Sequence, residues 1–182
     1  MTLRRIKVEG SRPNVRNEDS GISYAQKCVA PYSKLARQVQ TTLELDEHFA
    51  PAHQTLGWVY LHSGKQDDAI REFQNALQLA GPADTDMQLD LGFAYAVSGR
   101  PDEARKILAN LQQLHQQGIV PAASLATLYG ALGEPNEAFV WLEKAYQERD
   151  PQLTYLKAAR IFVPLRQDPR FAQLVRRVGL PD

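Results

Sequence analysis

The sequence predicts an all-α chain built as an array of antiparallel helix pairs. Three observations lead there. Apolar residues recur at spacings of three and four over successive stretches of about a dozen residues. Each stretch is closed by a turn carrying glycine or proline. A set of landmarks also returns at a fixed interval: Leu56, Gly57, Tyr60, Gly64, Ala69 and Phe73 recur 35 residues later as Leu91, Gly92, Tyr95, Gly99, Ala104 and Leu108. They recur again 34 residues further on as Leu125, Ala126, Tyr129, Gly133, Ala138 and Leu142. A self-similarity of that period marks a helical repeat.

The organising pair lies between Ala50 and Pro82. Its first helix is predicted from Pro51 to His62, with Pro51 at the first helical position, where a missing N–H costs nothing. Leu56, Val59 and Tyr60 form the buried stripe, and Gly57 lets the partner helix approach closely. Ser63 and Gly64 end it, glycine accepting the left-handed conformation past a helix terminus. The second helix runs from Asp67 to Leu79 with Ala69, Ile70, Phe73, Ala76 and Leu77 inward. Gly81 and Pro82 stop it. The first helices of the next two pairs are expected at 85–98 and 121–132, and the turn Gly99-Arg100-Pro101-Asp102-Glu103-Ala104 is nearly duplicated as Gly133-Glu134-Pro135-Asn136-Glu137-Ala138.

The flanks are read less regularly. Residues 1–21 are polar and basic, expected as a flexible arm. A short helix at Ile22–Val29 is expected to end at Pro31, followed by a helix at Ser33–Leu45 with Leu35, Val39, Thr42 and Leu43 on its buried stripe. After Asp150, a short helix at Pro151–Ala159 turns Leu153, Leu156 and Tyr155 inward. The dense apolar run Ile161–Leu165 is expected to fold back over the last pair. Asp168 caps a final helix that begins at Pro169 and buries Phe171, Leu174 and Val175. The domain expectation is one unit over 22–182: a degenerate repeat at 22–49, repeats at about 50–83, 85–118 and 119–150, and capping helices over 151–180.

Composition narrows the function classes. Of 182 residues, 43% are apolar and 23% charged, the proportions of a globular chain. Twenty-one basic residues balance twenty-one acidic ones, so no net field draws the chain to nucleic acid or an anionic membrane. The single cysteine, Cys28, excludes an internal disulfide. No apolar run reaches the length of a membrane helix, the N-terminus lacks the apolar core of a secretory signal, and cytoplasm is the default location. His48, His53, His62 and His115 are scattered over three helices without ligand spacing, so no metal or other cofactor is expected. Nor does any serine or cysteine have an implied histidine–acid partner, and no enzymatic activity is expected. Arg170, Arg176 and Arg177 on the last helix admit a phosphate contact, but two of them sit in the last turn, where the helix dipole favours positive charge.

The landmark residues resemble the tetratricopeptide repeat (TPR). The best copy is Leu56, Gly57, Tyr60, Ala69, Phe73 and Ala76; the second has Leu111 in place of the last small residue; the third runs from Leu125 to Ala145. The resemblance implies a right-handed superhelix of helix pairs whose first helices line a concave face that docks peptides or helices. Carried onto this sequence, the groove candidates are Gln54, Trp58, Leu61 and His62 from the first copy, Leu89, Phe93 and Val97 from the second, and Thr127 from the third. The lining is largely apolar, with Trp58 and Phe93 as its large rings; in a short array those rings can instead bury against a neighbouring helix. Relatives that clamp a terminal carboxylate use Lys, Asn and Arg at such places. Here Gln54, Trp58, Leu89 and Phe93 stand there, so a carboxylate clamp is not expected.

The C-terminal part, from Leu128 through EAFVWLEKAYQERDPQL and from Phe162 to Pro181, resembles the TPR region of bacterial multidomain transcriptional regulators and serine/threonine kinases. No kinase motif, nucleotide loop or winged helix precedes Ala50. The expected function is therefore a non-enzymatic module that binds another protein or peptide, as the regulatory part of a larger regulator or beside one. Two alternatives stay open: a homodimerising scaffold using the exposed end pair, and a domain that senses a small apolar ligand in the groove.

Overall fold

The computed structural model describes residues 24–180, with the side chains of 24–31, 33 and 160 outside that description. The expected arm at 1–21 and the side chain of Cys28 fall outside it. Eight α-helices follow one another: α1 (Tyr24–Leu45), α2 (Ala50–His62), α3 (Gln66–Ala80), α4 (Thr85–Val97), α5 (Pro101–Gln116), α6 (Ala122–Ala131), α7 (Pro135–Gln147) and α8 (Pro169–Val178). Two 3₁₀ turns, Pro151–Tyr155 and Arg160–Leu165, lie between α7 and α8. The fold is all-α, an α–α superhelix in which α2/α3, α4/α5 and α6/α7 are the antiparallel pairs. First helices also touch along the array, α2 on α4 and α4 on α6.

The repeat is visible in the hydrogen bonds. At each inter-helix turn a glycine takes a left-handed conformation, with φ of 75° at Gly64, 74° at Gly99 and 75° at Gly133. The residue after each glycine donates its N–H to the landmark tyrosine carbonyl: Lys65 to Tyr60 (2.9 Å), Arg100 to Tyr95 (2.9 Å) and Glu134 to Tyr129 (3.0 Å). Every such tyrosine hydroxyl in turn accepts from a glutamine on the preceding helix: Gln40 to Tyr60 (3.4 Å), Gln74 to Tyr95 (2.8 Å) and Gln112 to Tyr129 (2.8 Å). By that bond α1 does for α2 what α3 and α5 do for α4 and α6.

Close approach within the first pair depends on Gly57. A Cβ there would lie 2.8 Å from the Phe73 ring, which is completely buried. At the far end of the array α6 is walled in from Ala122 to Leu128. The 3₁₀ segments pack on it, Phe162 and Leu165 are each 1% exposed, and Leu165 fills the space left by Gly130. Asp150 ties this junction: its carboxylate accepts the Ala123 N–H (3.0 Å) and the Gln152 N–H (2.9 Å). The cap α8 begins as its sequence dictates, with Asp168 accepting the Arg170 N–H at 2.9 Å and pairing with the Arg170 guanidinium at 2.7 Å. Those bonds hold the Asp168 carboxyl down to about 2. Its inner face carries Phe171, Leu174 and Val175.

Three expectations for the flanks are corrected. The helix does not stop at Pro31: α1 runs unbroken from Tyr24 to Leu45. Proline removes one intrahelical bond and crowds one carbonyl, and a helix continued on both sides can absorb that cost of roughly 3 kcal/mol. The inner stripe of α1 is Ala36, Val39 and Leu43, which pack on α2, while Leu35 and Thr42 are exposed among the described residues. Tyr155 is 63% exposed; a 3₁₀ turn advances 120° per residue rather than 100°, so Leu153 and Leu156 share the inner face and Tyr155 leaves it.

Candidate functional site: the face of α2 and α4

The residues expected to line a groove separate into two groups. Gln54, Trp58, Leu61 and His62 of α2 and Leu89 and Val97 of α4 reach the surface wholly or in part. Phe93 and Thr127 do not. Phe93 is 8% exposed, its ring set against Trp58 at 5.5 Å, and the neighbouring-helix burial weighed for these rings is what it shows. Thr127 is 1% exposed, and its hydroxyl donates to the Ser124 carbonyl at 2.7 Å. The physical reason is the C-terminal segment: α6 is covered by the 3₁₀ turns as well as by α4 and α7, so the third first helix offers little of its small-residue side to solvent.

On α2 and α4 the rings form a row. Tyr32 of α1 lies 5.3 Å from His62, His62 lies 5.8 Å from Trp58 and nearly parallel to it, and Trp58 lies 5.5 Å from Phe93. Trp58 also meets Phe73 edge-on at 5.5 Å, so the indole is anchored in the core while the residue stays partly exposed. Partial burial lowers the His62 pKa from its ordinary value. Leu61 packs with the cluster around Phe73 and Leu91, and Leu89 with the one around Leu111 and Leu125.

Sequence reasoning missed the polar centre of this face. Asp90 on α4 accepts the Gln54 amide at 2.7 Å and the Trp58 indole N–H at 3.0 Å, both on Oδ2. Burial pushes its carboxyl up to about 6, outweighing these two donors, and Asp86 and Asp84 add to the rise. The one available signal was register: Asp90 adjoins Leu89 and stands 35 residues after Thr55. An acid next to an expected groove position of one copy is where a bond to the groove residues of the preceding copy would form.

The remaining candidates are accounted for by structural bonds. His53 places Nδ1 2.7 Å from Glu72 and Nε2 3.0 Å from the Glu47 carbonyl, tying α2 to α3 and to the α1–α2 loop. Burial opposes its protonation, but these acceptors together raise its pKa. His115 meets the Val120 carbonyl at 2.8 Å and the edge of Trp141 at 5.0 Å. Among the described residues no three His, Cys, Asp or Glu side chains converge as metal ligands. Arg177 is held by Glu143 through two bonds of 2.7 and 2.8 Å and lies over the Tyr146 ring, while Arg170 lies over Phe139. Both arginines are engaged in holding α8 on α7, which leaves the phosphate-contact alternative without two of its three cations. Among the described residues, surface clefts of 180 to 580 Å³ are lined by none of the groove candidates; one lies between α3, α4 and α5 beside Tyr95 and Ile107.

Residues 61–129 match the family model described as tetratricopeptide repeat. No curated protein matches the chain. Over that segment the helix pairs are similar to tetratricopeptide repeats, and they are set in an all-α superhelix. Such repeats generally mediate protein–protein interaction and generally have no catalytic activity of their own. Among the described residues no helix is long and apolar enough to cross a membrane.

Proposed function

We propose that the chain is a non-enzymatic docking module that holds a peptide or helical segment of another protein across the face of α2 and α4. The observation that carries this reading is the ring row from Tyr32 through His62 and Trp58 to Phe93, a partly exposed aromatic surface anchored in the core. Fixed rings bind at small entropic cost and are the usual anchors of interfaces. The face is assembled from α1, α2 and α4 and runs across them, a geometry suited to an elongated segment rather than an enclosed small molecule. In this reading the module is the docking part of a larger regulatory system, as the likeness of its C-terminal part suggests.

A displayed random-peptide library panned on the whole chain tests it. His62 is exposed and Val97 is 36% exposed one repeat further on, so His62→Ala with Val97→Ser trims the face without opening the core. Affinity for the selected peptides is expected to fall at least fivefold. Val140→Ser, on the outer side of α7 where Val140 is 61% exposed, is expected to leave it unchanged. The opposite pattern moves the site off this face.

A further inference from the structure

Asp90 gives the ring face a sign. Resting on the docking reading above, we infer that the segment held there presents a basic side chain, arginine above all, which pairs with Asp90 while lying against the aromatic row.

The argument begins with what surrounds the carboxylate. From α2 it meets Gln54 and Trp58, two neutral donors that both use Oδ2. From its own helix the neighbouring charges are Asp84 and Asp86, of the same sign. Among the described residues no Lys, Arg or His forms an ion pair with it. Asp90 lies in the second turn of α4, beyond the first turn over which a helix dipole favours negative charge. A half-buried carboxylate without a cation is the expensive form of an inter-helix bond: an asparagine carbonyl would accept from Gln54 and Trp58 as well, without a charge to desolvate. What a carboxylate offers beyond an amide is attraction for a cation.

The rings beside it favour guanidinium. Arginine is planar and weakly hydrated, stacks on an indole face, and pairs with a carboxylate through parallel N–H donors. The Trp58 indole and the Asp90 carboxylate are joined by a 3.0 Å bond, so one guanidinium can reach both. This is the reverse of a carboxylate clamp, in which the groove supplies the positive charges.

The test extends the peptide selection. Sequences recovered on the wild-type chain are expected to carry arginine, or less often lysine, at a fixed distance from their apolar residues. For the tightest such peptide, Asp90→Asn in the protein is expected to weaken binding about tenfold. Replacing the peptide's arginine by norleucine is expected to cost the same factor on the wild type and little further on Asp90→Asn. Thermal unfolding of the variant confirms that the face is intact. Peptides recovered without basic residues, or basic peptides held equally by Asp90→Asn, overturn the inference and leave the docking reading standing. Recovery of no peptide by the wild type overturns both.

Discussion

Phe73→Ala is expected to lower the free energy of unfolding by about 3–5 kcal/mol, the range for removing a buried phenylalanine. Phe73 has no exposed surface, lies in the cluster with Ala69, Ile70, Leu91 and Ala94, and touches the edge of Trp58. The cavity is poorly placed to collapse. The backbone of Gly57 already stands close against one side of the ring, and Leu91 and Ala94 of the next pair join Ala69 and Ile70 in the same cluster. Loss of the ring also releases Trp58 from its edge contact, so the indole fluorescence should broaden and shift to longer wavelength before unfolding. Urea denaturation followed separately by circular dichroism and by fluorescence measures both effects. A loss under about 1 kcal/mol would mean that the first pair is not packed through this ring.

The second large effect concerns Asp90 and has the unusual sign. Its carboxyl is raised from 3.8 to about 6 in the folded chain, so between those values the native state binds the proton that the unfolded state has released. Stability contributed by this group is present at low pH and is lost as pH rises through about 6. The full penalty at neutral pH corresponds to at most about 3 kcal/mol, reduced by whatever solvent reaches the partly exposed side chain. Asp90→Asn is therefore expected to be more stable than the wild type by about 1–2 kcal/mol at pH 7.5, with the advantage shrinking toward pH 4. Taking the difference between the two proteins cancels the opposite trend of Asp168 and Glu143, whose carboxyls are held low by Arg170 and Arg177. Equal stabilities at pH 7.5 would show that the carboxylate is not desolvated. A residue that weakens the fold yet could be replaced without losing its bonds fits a role in recognition.

Much of the architecture was legible because the repeat writes itself at backbone level. Left-handed turns need glycine, and Gly64, Gly99 and Gly133 stand in register. The proline-led second helices of the later pairs and the capping Asp168 are equally local signals. What escaped depends on neighbours distant in sequence. Pro31 forbids a bond, not a helix, and α1 continues through it. Thr127 occupies the same register as Trp58 and Phe93, so the repeat pattern put it on the groove, but residues 151–165 fold onto α6 and close it in. Phe93 is sealed for a related reason, since the Trp58 ring lies on it. Asp90 was invisible as a site residue because its partners, Gln54 and Trp58, belong to the preceding pair.

The chain has two tryptophans, which supply an internal control for the proposed docking face. Trp58 lies in the ring row of α2 and bonds Asp90, whereas Trp141 lies on α7 between His115 and Lys144. Two-dimensional NMR of the indole N–H signals during titration with a selected peptide reads the two places at once. The Trp58 resonance is expected to move with the occupancy of the peptide while that of Trp141 stays fixed. Movement of Trp141 with Trp58 unchanged would contradict docking on α2 and α4.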